Sequence, residues 1–252
     1  MKRIVIKIGT NLLTDHQQRL DLNNMRQLVY QISDEIDKKT NNEFLIVSSG
    51  AITCGSRHIN CLPNNVPSKQ AAAAIGQILL YQQYYDFFQA KNKCVAQLLV
   101  TKDNFEVGDK KENIRQTIET LLNENVIPII NENDSVSTEE IQFGDNDQLS
   151  STLSIHINAT KLILLTNEDG LLDNNNQVVS KLQSIGETEL SWVNDGLSHS
   201  NSRGGMTSKL LAAQLAIAHG IEVTIANGRE PDIIHKILNN KPVGTTILSP
   251  TK

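Results

Sequence analysis

The stretch I-I-N-E-N-D-S-V-S-T-E-E-I-Q-F-G-D-N-D, Ile129 to Asp147, decides how the chain is read. Its first residues close an apolar run, Val126-Ile127-Pro128-Ile129-Ile130, that has the character of a buried strand. The run gives way to polar Asn131-Glu132-Asn133-Asp134, and the stretch ends on Gly144-Asp145-Asn146-Asp147. Beyond it Leu149, Leu153 and Ile157 recur every fourth residue, which marks a helix. A strand tip, a long loop and a helix start therefore carry carboxylates and amides in two clusters. In an open parallel sheet, ligands bind outside the carboxyl ends of the strands. Asn and Asp also build ordinary turns. Two such clusters around one loop of this length point to function, because long loops in compact domains are functional or disordered.

The same unit recurs on either side. Arg3 to Ile8 is a β-branched strand that ends on Lys7-Ile8-Gly9-Thr10-Asn11, where Gly9 permits close backbone approach and Thr10 and Asn11 offer donors. Asp21 to Lys39 has helical spacing, with Leu22, Met25, Leu28, Val29, Ile32 and Ile36 on one face. Phe44 to Val47 is a strand that runs into Ser48-Ser49-Gly50-Ala51, a small-residue turn able to present N–H groups and hydroxyls to an anion. After a Pro- and Asn-containing loop from Cys61, an Ala-rich helix spans Ala71 to Tyr85, started by Ser68-Lys69-Gln70. Tyr84, Tyr85, Phe87 and Phe88 read as core or subunit interface. Val95 to Val100 is a strand and Lys110 to Asn123 a helix. Past the central loop, strand Lys161 to Leu165 ends on Thr166-Asn167-Glu168-Asp169-Gly170, and Asp173 to Gln177 reads as a hairpin tip or a mobile loop. Ser198 to Arg203 is polar. Gly204-Gly205-Met206-Thr207-Ser208-Lys209 then opens a helix whose exposed N–H groups and dipole suit phosphate. Strand Ile221 to Ala226, helix Pro231 to Leu238 and strand Thr245 to Leu248 close the chain. Strands alternating with helices predict an α/β fold, a parallel sheet with helices on both faces.

Composition narrows the function. The chain has 252 residues, 39% hydrophobic and 20% charged, enough for one large α/β domain or two small ones; no linker divides it, so one domain over 1–252 is expected. A formal charge of −5 argues against a nucleic-acid surface. No apolar stretch approaches a membrane span. The short N-terminal apolar run, interrupted by Lys7, does not resemble a signal peptide. Three cysteines without C-x-x-C spacing suit a reducing compartment, so a cytoplasmic location is expected.

Lys7, Ser48–Ser49, Asn131–Asp134 and Thr166–Asn167 all lie at strand ends and would converge at one sheet edge with the Gly-Gly helix start. Neither G-x-x-x-x-G-K-[ST] nor G-x-G-x-x-G nor H-E-x-x-H occurs, so a nucleotide site would be of another kind. Lys7 and Lys209, from distant parts of the chain, suggest phosphoryl transfer, which needs positioning and charge stabilisation more than covalent help. A carboxylate acceptor is already ionised at neutral pH, so no general base is required. Mg²⁺ would be held mainly by nucleotide oxygens, and no cluster of protein metal ligands is expected. Asp147 is the candidate for holding the lysines in place.

K-I-G-T at Lys7–Thr10, S-S-G-A at Ser48–Ala51, S-K-Q at Ser68–Gln70, I-N-E-N-D at Ile130–Asp134, F-G-D-N-D at Phe143–Asp147 and G-G-M-T-S-K at Gly204–Lys209 resemble the glutamate 5-kinases of the amino acid kinase superfamily. The resemblance covers nearly the whole chain. It implies a three-layer αβα sandwich around a mostly parallel sheet of about eight strands, with an N-terminal half that binds glutamate and a C-terminal half that binds ATP. It implies ATP-dependent phosphorylation of the side-chain carboxylate of L-glutamate, the first step of proline synthesis. By the same resemblance Lys7 contacts ATP phosphates, and Ser49, Asp134 and Asn146 bind glutamate. Thr166, Asn167, Arg203, Gly204, Gly205, Met206, Thr207, Ser208 and Lys209 bind ATP. Lys209 stabilises the transferring phosphoryl group, and Asp147 organises the lysines. Inhibition by L-proline and a homo-oligomer, dimer or tetramer, are also implied.

The chain departs from the family pattern at Asn167, where Asp is usual, and at Arg203, where Thr is usual; both fall on the nucleotide side. Many members carry a C-terminal domain resembling an RNA-modification module, and none is expected here after Lys252. Two other readings compete: a catalytically silent amino-acid-binding regulator on the same fold, and a related kinase acting on aspartate, acetylglutamate or uridylate. Retention of both lysines argues against the regulator, and the two amide-and-carboxylate clusters favour an amino-acid acceptor.

Overall fold

The computed structural model describes residues 2–15, 17–59, 65–106, 108–137, 145–193 and 205–249. Eight strands are numbered in chain order: β1 Lys2–Ile8, β2 Asn42–Ser48, β3 Cys94–Val100, β4 Val126–Glu132, β5 Lys161–Thr166, β6 Lys181–Leu182, β7 Glu222–Asn227 and β8 Thr245–Ile247. They form one sheet in the order β3-β4-β2-β1-β5-β7-β8-β6. Every pairing is parallel except β7 with β8. The expected mostly parallel sheet is thus observed. The two-residue β6 is too short to leave a periodic signal.

The helices are α1 Thr10–Leu13, α2 Leu22–Asp37, α3 Ala51–Ser56, α4 Val66–Gln89, α5 Asp103–Glu106, α6 Gly108–Asn123, α7 Asn146–His156, α8 Glu187–Ser191, α9 Met206–Ala218 and α10 Ile233–Leu238. α4 extends beyond the expected Ala71–Tyr85 at both ends. Asn65 caps it by accepting the Ser68 N–H, and Pro67 sits in its first turn, where a missing N–H costs nothing. α7 begins three residues before its first periodic leucine, because Asp145 caps it through the N–H groups of Asp147 and Gln148. The hairpin tip expected at Asp173–Gln177 is present, closed by the bridge Leu172–Val178.

Strand alternation divides the core into two layers. Ile4, Ile6 and Ile8 of β1 pack with Met25, Leu28 and Ile32 of α2 and Leu80, Tyr84 and Phe88 of α4. Val5 of β1 packs on the opposite face with Leu149 and Leu153 of α7 and Leu210 and Ala213 of α9. The sheet therefore lies between two helical layers. The same alternation places Lys7 on the α7/α9 face, together with Val5.

α3 and α4 touch backbone to backbone. A Cβ on Gly76 would lie 1.8 Å from the Ala51 carbonyl oxygen, and one on Gly55 would lie 1.8 Å from that of Ala72. Gly50, with φ of +98°, turns the chain from β2 into α3, a conformation that side chains disfavour. Gly76→Ala must push the two helices apart. It is expected to lower unfolding stability by about 3 kcal/mol, the upper part of the overpacking range. Urea unfolding measures this, and an unchanged midpoint would show that α3 can slide away freely.

Candidate functional site

β4, β2, β1 and β5 are neighbours in the sheet, so their carboxyl ends meet at one edge. The chain order reverses between β1 and β5, and such a switch point opens a crevice in a parallel sheet. Gly9 N–H donates to the Leu165 carbonyl at 3.3 Å across this point. A cleft there is lined by Lys7, Gly9, Thr10, Asn11, Leu12, Ser49, Asp145, Asn146, Leu165, Thr166, Asn167 and Lys209.

Asp147, in the first turn of α7, is fully buried. Lys7 Nζ lies 2.6 Å from its Oδ1, and Lys209 Nζ lies 3.1 Å from its Oδ2. The Lys209 contact is a directed hydrogen bond. The Lys7 contact is an ion pair off the hydrogen-bonding direction, so Oδ1 has no aligned donor among the described residues. Both lysines are buried. Burial pushes Lys209 below the ordinary lysine range; Asp147 opposes that shift and the Lys7 charge adds to it. Lys209 reaches the cluster from the first turn of α9, whose cap residue Gly205 has no side chain to satisfy the helix's first N–H groups. Ser208, beside it, donates to Asp145 Oδ2, while Asp145 Oδ1 caps α7. One carboxylate thus ties the starts of α7 and α9 together.

A second network occupies the other side of the edge. Asn146 Nδ2 faces the Ser48 carbonyl at 2.8 Å, Ser49 Oγ at 3.0 Å and Asn131 Oδ1 at 2.8 Å. The amide clusters at the two ends of the central loop are therefore in direct contact. Ser48 also shares a hydrogen bond with Tyr84 of α4, 3.0 Å away. Asn146 Oδ1 is buried and has no donor among the described residues.

A wider crevice of about 770 Å³ opens near the bridged pair Thr14 and Leu20, bordered by Arg19, Arg57, His58 and Gln83. Its Arg19 is neutralised by Asp15, and none of the strand-end groups reaches it. The narrower cleft at the sheet edge is where the strand-end groups meet.

The model of the amino acid kinase family matches residues 2–227. The chain is 38% identical to glutamate 5-kinase of Clostridium perfringens over 259 residues, 98% of this chain and 96% of that protein. It is 38% identical to glutamate 5-kinase of Caldanaerobacter subterraneus subsp. tengcongensis over 253 residues, 98% of this chain and 68% of that one. The chain belongs to the glutamate 5-kinases of the amino acid kinase family. Solved structures agree on the fold. UMP kinase from Ureaplasma parvum superposes with a TM-score of 0.63 at 16% identity, over 98% of this chain and 100% of that one. N-acetylglutamate synthase from Neisseria gonorrhoeae superposes with a TM-score of 0.69 at 15% identity, over 100% of this chain and 60% of that one.

Of the residues singled out in the sequence, Lys7, Ser49, Asn146, Thr166, Asn167 and Lys209 line the cleft, and Asp147 lies beneath two of them. Gly205, Met206, Thr207 and Ser208 form the cap and first turn of α9. Asp134 follows β4 in a turn and is not among the cleft's described lining residues. Arg203 and Gly204 lie outside the described residues. Asp145 also lines the cleft and is not among the site residues expected from the sequence, although an Asp directly before a helical pattern is a cap signal. Asn131, as a side chain that orients Asn146, left no separate signal.

The depressed Lys209 has a kinetic consequence. A cation here would attract nucleotide phosphates, and it is lost as pH rises through a value below the ordinary 10.5. Since kcat/KM reports groups of the free enzyme, kcat/KM for ATP is expected to fall on the alkaline side with an apparent pKa below that value. Stability moves the other way: in the same window the unfolded chain holds the extra proton, so this group's contribution to stability rises with pH. A rate profile flat up to the ordinary lysine pKa would contradict the assignment.

Proposed function

We infer that the chain transfers the γ-phosphoryl group of ATP to the side-chain carboxylate of L-glutamate, giving L-glutamyl 5-phosphate and ADP, the first step of proline biosynthesis. The observation that carries this reading is the single buried carboxylate of Asp147 with Lys7 and Lys209 on its two oxygens. The reaction brings two anions together. At 4 Å, unit charges repel by about 4 kcal/mol at an effective dielectric of 20. Two ammonium groups between nucleotide and acceptor offset that repulsion, and Asp147 keeps them from moving apart. The glutamate oxygen forms a bond to the γ-phosphorus while the bond to the β,γ-bridging oxygen breaks. No proton needs to move, since the attacking carboxylate is already ionised.

In this reading Lys7 and Lys209 are catalytic and Asp147 is a positioning residue. Ser49 and Asn146 hold glutamate, joined by Asp134 from the turn after β4. Thr166, Asn167 and residues 203–209 hold ATP, with the first-turn N–H groups of α9 turned to the phosphates. The donor set around Mg²⁺ follows from the same geometry. Asp145 and Asp147 are both already engaged, so the ion would enter bound to nucleotide oxygens rather than to a protein cage. It would neutralise charge on the phosphates there. Ile78 and Tyr85, seven residues apart on α4, are exposed, which supports a homo-oligomer. No helix of the described residues is long and apolar enough to cross a membrane, and we place the reaction in the cytoplasm.

With ATP, Mg²⁺ and hydroxylamine, L-glutamate is expected to yield the hydroxamate that reports an acyl phosphate. Turnover of aspartate in place of glutamate would reject the reading. Lys209→Ala is expected to lower kcat by at least about 100-fold, the scale of losing a transition-state charge contact, while the glutamate KM changes little. An unchanged kcat would remove Lys209 from the mechanism.

A further inference from the structure

Gln77 lies half-buried on α4 and is not among the residues that line the cleft. A hydrogen-bond chain of fixed direction connects it to the site. The Glu132 backbone N–H can only donate, and it donates to Asn131 Oδ1 at 2.8 Å. This fixes the Asn131 amide, whose Nδ2 then donates to Gln77 Oε1 at 2.8 Å. Asn146 meets the same Asn131 Oδ1 and also the Ser48 carbonyl, each at 2.8 Å. Both are acceptors, so Asn146 must present Nδ2 to them. Its Oδ1 is thereby left as the one buried side-chain acceptor in this network with no donor among the described residues. Rotating Asn131 by half a turn would set donor against donor at both Glu132 and Asn146. Gln77 reinforces the native orientation by accepting the remaining Asn131 hydrogen.

The position of Gln77 is itself fixed. Its neighbour Gly76 is in backbone contact with α3. Gln70 of the same helix donates to the Ser137 carbonyl at 3.1 Å, and Tyr84 contacts Ser48. α4 is held at both ends of the network it supports.

We propose that Gln77 is a positioning and specificity-determining residue: acting through Asn131, it holds the Asn146 amide with Oδ1 toward the acceptor substrate, and so selects a dicarboxylate that carries an ammonium group. This rests on the glutamate kinase reading and deepens it. An ammonium donor satisfies the orphaned oxygen; a dicarboxylate without one leaves it unpaired, which buried acceptors tolerate poorly.

The test compares Gln77→Met, which removes the acceptor at similar length, with Gln77→Glu, which keeps an acceptor oxygen. Each is assayed for the glutamate KM, for kcat, for the ATP KM and for competitive inhibition by glutarate, the same diacid without the ammonium group. Gln77→Met is expected to raise the glutamate KM about tenfold, the scale of one hydrogen bond to a charged group. Its glutarate inhibition constant, kcat and ATP KM should stay within about twofold, since none of them draws on that bond. Gln77→Glu should retain a glutamate KM near the parent value. If Gln77→Met weakens glutamate and glutarate alike, or Gln77→Glu behaves as Gln77→Met, the proposal is overturned and Gln77 is a packing residue. Thermal unfolding of both variants identifies one that has lost its fold; should that be Gln77→Met, Gln77→Leu replaces it as the variant without an acceptor, with the same expected outcomes. Absence of acyl phosphate from glutamate with the unaltered chain is a different failure, of the kinase reading itself.

Discussion

The structure depends on one buried carboxylate shared by two ammonium groups. Asp147 is completely excluded from solvent, and Lys7 and Lys209 are nearly so. Taking three charges out of water costs several kcal/mol each before pairing returns part of it. Replacing such a triad with apolar side chains is often neutral or stabilising, so its presence is not explained by stability. In the proposed reaction the cost makes sense as preorganisation. Charges already fixed in a low-dielectric cleft need not reorganise when phosphate charge shifts in the transition state.

That arrangement requires three elements to agree on a side of the sheet. Alternation along β1 sends Ile4, Ile6 and Ile8 toward α2 and α4, and Val5 and Lys7 toward α7 and α9. A slip of one residue in β1 would bury Lys7 among leucines with no partner. The parallel register of β1 between β2 and β5, seven and five residue pairs respectively, guards against it. Alternation in β2 and β4 acts in the opposite sense. Ser48 and Asn131 face α4, where they meet Tyr84 and Gln77. The two polar networks therefore approach the sheet edge from opposite layers. Asn146 and Asp147, adjacent in the chain at the start of α7, join them: the first reaches toward the α4 side and the second toward α9.

Much of the fold could be read from the chain because its signals are local. Seven strands are visible as short, mostly apolar or β-branched runs, and the turns after β1, β2, β4 and β5 stand out as abrupt changes from apolar to polar. What was not legible was short or apolar on several sides. The four-residue α1, the six-residue α3 and the two-residue β6 offer too few positions for any period to show. The Ala-rich α4 packs on α3 as well as on the sheet layer, which blurs a single apolar stripe and hides its true ends. The site divides in the same way. Lys7 and Lys209 announce themselves beside glycines. Gln77, one of five glutamines along α4, does not, because its meaning arises only when Asn131 arrives from more than fifty residues away.

The contacts between α7 and α9 carry a consequence for how the two ligands interact. α7 supplies Asn146 to one network and Asp147 to the other, and α9 supplies Ser208 and Lys209. Asp145 accepts from Ser208 with one oxygen and caps α7 with the other. A nucleotide drawing the first turn of α9 toward its phosphates would load that bond and the Lys209–Asp147 pair together. Both bonds pull on the same end of α7, where Asn146 sits. On the proposed reading, the side chains that would meet the nucleotide and those that would meet the acceptor are thus linked through one helix start rather than through the sheet. Coupling of this kind needs no wide domain motion, since packed elements pass on sub-ångström shifts.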